Sequence, residues 1–225
     1  MKTDLTEIIF ILDRSGSMSD LESDTIGGYN SFLETQRSVD GEAQVTTVLF
    51  DDQYEVLHEC VNIKDIQSIT KKEYFARGMT ALLDAIGKTI VDVGLRLSNI
   101  SESMRPSKVI LVIITDGEEN ASREFSYKEI NKMISHQQER YSWEFIFLGA
   151  NIDVEKEAKN LGIKNSYVAN YVADSDGTGI MYQTLAENVA SFRNRGEIEG
   201  NWNEAINNDT GKRKRGSSAK NKVVL

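Results

Sequence analysis

The chain is poor in several residue types that would announce a mechanism. It has one cysteine, Cys60, among 225 residues, so it cannot close a disulfide within itself. That suits a reducing compartment. It has two histidines, His58 and His136. Neither has the context of a catalytic triad, and "RSGSM" is not G-x-S-x-G, so serine catalysis is not expected. No apolar run nears the ~20 residues of a membrane span. The first run, Ile8–Leu12, follows Asp4 and Glu7 and falls short of the ~7–15 apolar residues of a signal peptide. A soluble, cytoplasmic protein is the expectation.

What remains is ordinary for a folded domain. Apolar residues make up 40% and charged residues 27%, and the length allows one sizeable core. The net charge of −9 is unevenly spread. Lys212, Arg213, Lys214, Arg215, Lys220 and Lys222 fall in the last fourteen residues, with no acid among them. The body is therefore more acidic than the whole and should repel nucleic acid; the tail alone could attract it. Residues 1–195 are read as one domain. Residues 196–225 are low in hydrophobicity and are read as a basic tail, flexible or folded against a partner.

Short apolar runs at Ile8–Leu12, Val45–Phe50, Val109–Ile114 and Phe145–Leu148 are rich in β-branched and aromatic residues and do not alternate. Strands buried on both faces read this way. Tyr54–Val61 alternates and follows "FDD", which predicts a hairpin with Val45–Phe50. On that strand Cys60 shares a face with Tyr54 and Val56, so it is expected to be packed in the core. "SYVANY" is a weaker strand. Leu82, Ile86, Ile90, Val93, Leu97 and Ile100 recur at spacings of four and three, one apolar stripe of a helix. Helices are also predicted over residues 19–39 and 126–141, with Ser19 and Ser126 as N-caps, and around 179–193. The alternation predicts an α/β fold: a doubly wound, mostly parallel sheet with one antiparallel edge strand and helices on both faces.

In such a sheet, ligands bind beyond the carboxyl ends of the strands. Asp13, Ser15 and Ser17 follow the first run, and Thr115, Asp116 and Gly117 follow Val109–Ile114; Thr80 stands before the Leu82 helix. A lone D-x-S-x-S could be a turn that caps a helix. With Thr80 and Asp116 in the same order along the chain, the set resembles the metal-ion-dependent adhesion site of von Willebrand factor type A domains, of the short intracellular bacterial type. The resemblance covers roughly residues 4–195. It implies Ser15 and Ser17 as direct ligands, Thr80 and Asp116 as ligands that change with state, and Asp13 acting through water. Hydroxyls and carboxylates are hard donors suited to Mg²⁺, Mn²⁺ or Ca²⁺. Asp51, Asp52, Asn151 and Asp153 could rim the site but read better as turn and cap residues.

Two further echoes fail. "IGKTI" has Leu82 where a P-loop needs its first glycine. The stretch from Asp174 has Leu185 where a calcium loop needs glutamate, and reads as a helix start. The expected function is therefore a non-enzymatic adaptor that captures a partner's Asp or Glu through the cation. The alternatives are an Mg²⁺-dependent phosphoester hydrolase using Asp116, Glu118 and Glu119, and a structural subunit of an assembly.

Overall fold

The computed structural model describes residues 1–220 of the chain. Six strands form one sheet in the order β3-β2-β1-β4-β5-β6. β1 (Lys2–Asp13), β2 (Glu42–Phe50), β4 (Pro106–Thr115), β5 (Glu144–Gly149) and β6 (Val168–Asn170) are parallel; β3 (Tyr54–Asn62) runs antiparallel to β2 at the edge. This is the sheet the sequence predicted. On β1, Ile8, Phe10 and Leu12 enter one core and Ile9 and Ile11 the other. All five are fully buried, which is why that segment carries no polar alternation. Each such side chain contributes about 2 kcal/mol on leaving water.

Helices α1 (Glu22–Arg37) and α5 (Ser175–Arg195) cover the first face. There Phe10 meets Tyr29 and Phe32 edge-on, with ring centroids 5.3 and 4.8 Å apart. α2 (Leu82–Ser98), α3 (Tyr127–Tyr141) and α4 (Val154–Leu161) cover the second. The α2 stripe from Leu82 to Leu97 is buried, whereas Ile100 lies past the helix end and is exposed. Ser126 caps α3 in a reciprocal capping box with Glu129. Ser19 does not cap α1, because residues 16–21 turn in a 3-10 helix first and α1 begins at Glu22. Asp174 caps α5 by accepting the Gly177 N–H at 2.8 Å. Cys60 is half-buried rather than packed in a core. β3 shifts register twice against β2 and Cys60 itself sits at φ +52°, so the expected alternation breaks there.

The packed body continues past residue 195, where the sequence reading drew its boundary. Trp202 and Ile206 join the α1/α5 core, and α6 (Glu204–Lys220) lies along the edge of β6. The Trp202 indole N–H donates to the Ser166 carbonyl at 2.6 Å, Asn203 Nδ2 to Val168 at 2.6 Å and the Thr210 hydroxyl to Asn170 at 2.8 Å. Arg213 pairs with Asp174 and Asp209. Lys222 and the side chains of Lys214, Arg215 and Lys220 lie outside the described residues.

β1 is flanked by β2 on one side and β4 on the other. The chain changes direction of travel across the sheet here, and such a switch point opens a crevice at the carboxyl ends of the two strands. Asp13 ends β1 and Thr115 ends β4.

Candidate metal centre

Three loops meet in that crevice. In the first, Asp13 Oδ1 accepts the Ser15 N–H at 2.6 Å, a local turn that swings the chain back over the strand end. The Met18 N–H then donates to the Ser15 carbonyl at 3.0 Å and opens the 3-10 helix. Ser15 Oγ and Ser17 Oγ are thereby left 3.1 Å apart. The second loop approaches through Gly78, whose carbonyl accepts the Gly16 N–H at 3.2 Å. Gly78 has φ +68°, a left-handed conformation that any other side chain would strain. The third loop brings Asp116, whose Oδ1 accepts from Ser17 Oγ at 2.5 Å.

The second and third loops are pinned to each other. The Thr80 N–H donates to Asn120 Oδ1 at 2.9 Å, and the Thr80 carbonyl accepts the Asn120 and Ala121 N–H groups at 3.0 and 3.1 Å. Glu119 accepts the Ala121, Ser122 and Leu83 N–H groups and the Ser122 hydroxyl. Asp84 accepts the N–H groups of Arg123, Glu124 and Phe125. Asn120, Glu119 and Asp84 were not singled out as parts of this scaffold in the sequence. They are polar residues in polar or helical surroundings, and nothing local marks them as partners across 36 to 41 positions.

The arrangement has a focus. A Cβ placed on Gly117 would lie 2.9 Å from Thr80 Oγ1, 3.2 Å from Ser17 Oγ and 3.5 Å from Ser15 Oγ. Three hydroxyl oxygens from two loops thus surround one point on the third loop, with the Asp116 carboxylate bonded to one of them. Asp13, Ser15, Thr80 and Asp116 are buried and Ser17 is exposed, so the focus reaches the surface at Ser17. All five predicted positions come together here.

Asp13 stands behind the hydroxyls. Burial pushes its carboxyl up to about 6, against the Thr115 and Ser15 hydrogen bonds that pull it down. Burial also raises Asp116, opposed by the Ser17 hydroxyl. Two buried acids without a countercharge are held at a cost that an adjacent dication would remove. Among the described residues no three His, Cys, Asp or Glu side chains gather as a metal cluster. The donor set is led by neutral hydroxyls, which are hard oxygen ligands of the kind Mg²⁺ accepts beside retained water. The residues therefore fit a divalent cation.

The other acids have separate roles. Asp51 is fully buried in ion pairs with Arg14 and Arg77. Asp153 caps α4, accepting the Lys156 N–H at 3.2 Å, and Asn151 occupies a left-handed turn position at φ +57°.

No family model matches the chain, and no curated protein matches it in sequence. Solved structures do match its fold. A von Willebrand factor type A protein from Catenulispora acidiphila superposes with TM-score 0.57 at 15% identity, over 84% of this chain and 43% of that one. Mussel byssus proximal thread matrix protein 1, solved with a zinc-occupied MIDAS motif, gives 0.59 at 14% identity, over 84% and 46%. Manganese-loaded TRAP protein of Plasmodium vivax gives 0.55 at 16% identity, over 80% and 72%. The chain spans less than half the length of the first two. At these identities the likeness is one of fold: the chain has the von Willebrand factor type A fold.

Proposed function

We propose that this protein is a non-enzymatic adaptor that binds a divalent cation, Mg²⁺ by preference, and through it an Asp or Glu of a partner protein. The observation that carries the reading is the convergence of Ser15, Ser17 and Thr80 on one point above Gly117. These three hydroxyls would hold the ion, with Asp116 beside them and Asp13 behind. Neutral ligands leave much of the ion's charge uncompensated, so it would supply a strong receptor for an incoming carboxylate. The metal-loaded states of the mussel and Plasmodium proteins support a divalent cation on this fold. The exposed rim side chains Asp52, Met79 and Glu118 would set which partner is accepted.

Two features favour binding over hydrolysis. Glu119 spends its carboxylate on loop N–H groups and a hydroxyl, which leaves it poorly placed as a base. His58 lies on β3 beside Tyr29, and His136 packs on Tyr141 in α3. Neither belongs to the strand-end loops. A cytoplasmic setting completes the proposal, in keeping with the single unpaired cysteine. Among the described residues no helix is long and apolar enough to cross a membrane.

The test is calorimetric titration of the EDTA-stripped protein with Mg²⁺ and Mn²⁺, followed by partner capture from native lysate with Mg²⁺ or EDTA. Uptake of one ion, lost in Ser17→Ala, and EDTA-sensitive capture are expected. Capture that ignores both EDTA and Asp13→Ala sinks the reading.

A further inference from the structure

One buried group touches both hydroxyl-bearing loops without being a candidate ligand. Asp51 follows β2, the neighbour of β1, and its side chain is fully buried. Its Oδ2 accepts from Arg14 Nε at 3.0 Å and from Arg77 Nε at 2.6 Å. Its Oδ1 accepts the Gln53 N–H at 2.6 Å, and its carbonyl accepts the Ala81 N–H at 2.9 Å. Arg14 lies between Asp13 and Ser15. Arg77 and Ala81 bracket Thr80. The Arg77 N–H closes the circuit by donating to the Arg14 carbonyl at 2.7 Å. Both guanidinium groups also lie over the Phe75 ring, 5.8 and 5.3 Å from its centroid.

This wiring is specific. Arg14 is 1% exposed and bonds through Nε to Asp51 and through Nη1 to Glu55 at 2.9 Å. A planar fork held this way has few alternative poses. A buried carboxylate shared by two such forks fixes their backbones relative to each other. Together with the Gly16 N–H bond to the Gly78 carbonyl, the Asp51 contacts tie the loop of the Ser15–Ser17 pair to the loop that carries Thr80.

We propose that Asp51, acting through Arg14 and Arg77, is a positioning residue that holds Thr80 against the Ser15–Ser17 pair and so sets the affinity of the metal site. The proposal rests on the metal reading above. Outer-shell partners of metal ligands typically change affinity by ~10–100-fold when removed. Asp51→Asn would leave Arg14 buried without its full countercharge and is a poor test, because it threatens folding. Arg77 has a side chain 38% exposed, and its loss leaves the Arg14–Asp51 pair in place.

The experiment compares wild type, Arg77→Gln, Thr80→Ala and the double variant as full chains. Mg²⁺ and Mn²⁺ affinities are measured by calorimetry, and amide hydrogen exchange is followed in EDTA. Arg77→Gln should weaken binding about tenfold or more and speed exchange of the Ala81 amide, with β4 amides unchanged. In the Thr80→Ala background the same substitution should have little further effect on affinity, since it acts through Thr80. If wild type takes up neither ion, the proposed function fails. If wild type binds but Arg77→Gln matches it, or adds its full effect to Thr80→Ala, or leaves Ala81 exchange unchanged, this inference alone is overturned.

Discussion

The Thr115 hydroxyl donates to Asp13 Oδ2 at 2.5 Å, across the switch point from the end of β4 to the end of β1. Asp13 also accepts the Ser15 N–H, and its own carbonyl accepts the Tyr74 hydroxyl at 2.5 Å. The acid at the base of the site is thus gripped by both strands and by the loop that leads toward Thr80. Being buried, it is still reluctant to ionise.

That reluctance fixes a pH dependence. The folded-state value of about 6 lies above the ordinary 3.8. Between these values the folded protein binds more protons than the unfolded chain, so stability falls as pH rises, and it levels off above about 6. Without metal, wild type should lose on the order of 2 kcal/mol relative to Asp13→Asn between pH 4.5 and 7. Urea melts in EDTA at pH 4.5 and 7 measure it; a constant gap between the two proteins would refute the shifted carboxyl.

Gly117→Ala places a methyl at the focus of the three hydroxyls. Gly117 is not among the glycines at positive φ, so its backbone should tolerate alanine. The variant should keep its circular dichroism, lose about 1–3 kcal/mol or less of stability from crowding, and lose divalent-ion binding. Calorimetric titration with wild-type affinity would show that the focus is not where an ion sits.

Gly28 lies where α1 crosses α5, and a Cβ there would be 2.1 Å from Tyr182 Cδ2. Tyr182 is buried and fills the α1/α5 core. Gly28→Ala should therefore destabilise by about 1–3 kcal/mol despite the higher helix propensity of alanine. Its denaturation midpoint should fall, with metal uptake by the surviving folded protein unchanged.

Trp202→Ala removes a buried side chain and the hydrogen bond to Ser166. A loss of about 3–5 kcal/mol is expected. Protease sensitivity within residues 196–213 should rise with it. A variant as stable as wild type would mean that α6 does not dock as described.

The sheet was legible because β1, β2, β4 and β5 are buried on both faces and so read as short apolar runs, interrupted in β2 by Thr46 and Thr47. The five candidate positions stood out because D-x-S-x-S and Asp116 follow two of those runs and Thr80 precedes the α2 stripe. Helix α4 was missed: it is eight residues long and mostly polar, too short for a convincing period. α6 was missed because two buried anchors, Trp202 and Ile206, stand in a segment otherwise full of Asn, Asp, Lys and Gly. Cys60 was misplaced because alternation assumes an even pleat, and two register shifts in β3 remove it. The buried pair Arg14–Asp51 and the half-buried pair Glu7–Arg96 join charges 37 and 89 positions apart. In one dimension such charges look like any solvated residue.

Carbonyls at the β6 margin are taken up by side chains from Trp202, Asn203 and Thr210, while the opposite margin, β3, is kinked twice. Neither border offers a straight, vacant row of amides and carbonyls to a neighbour. Copies of this molecule are thereby discouraged from zipping into a continuous ribbon.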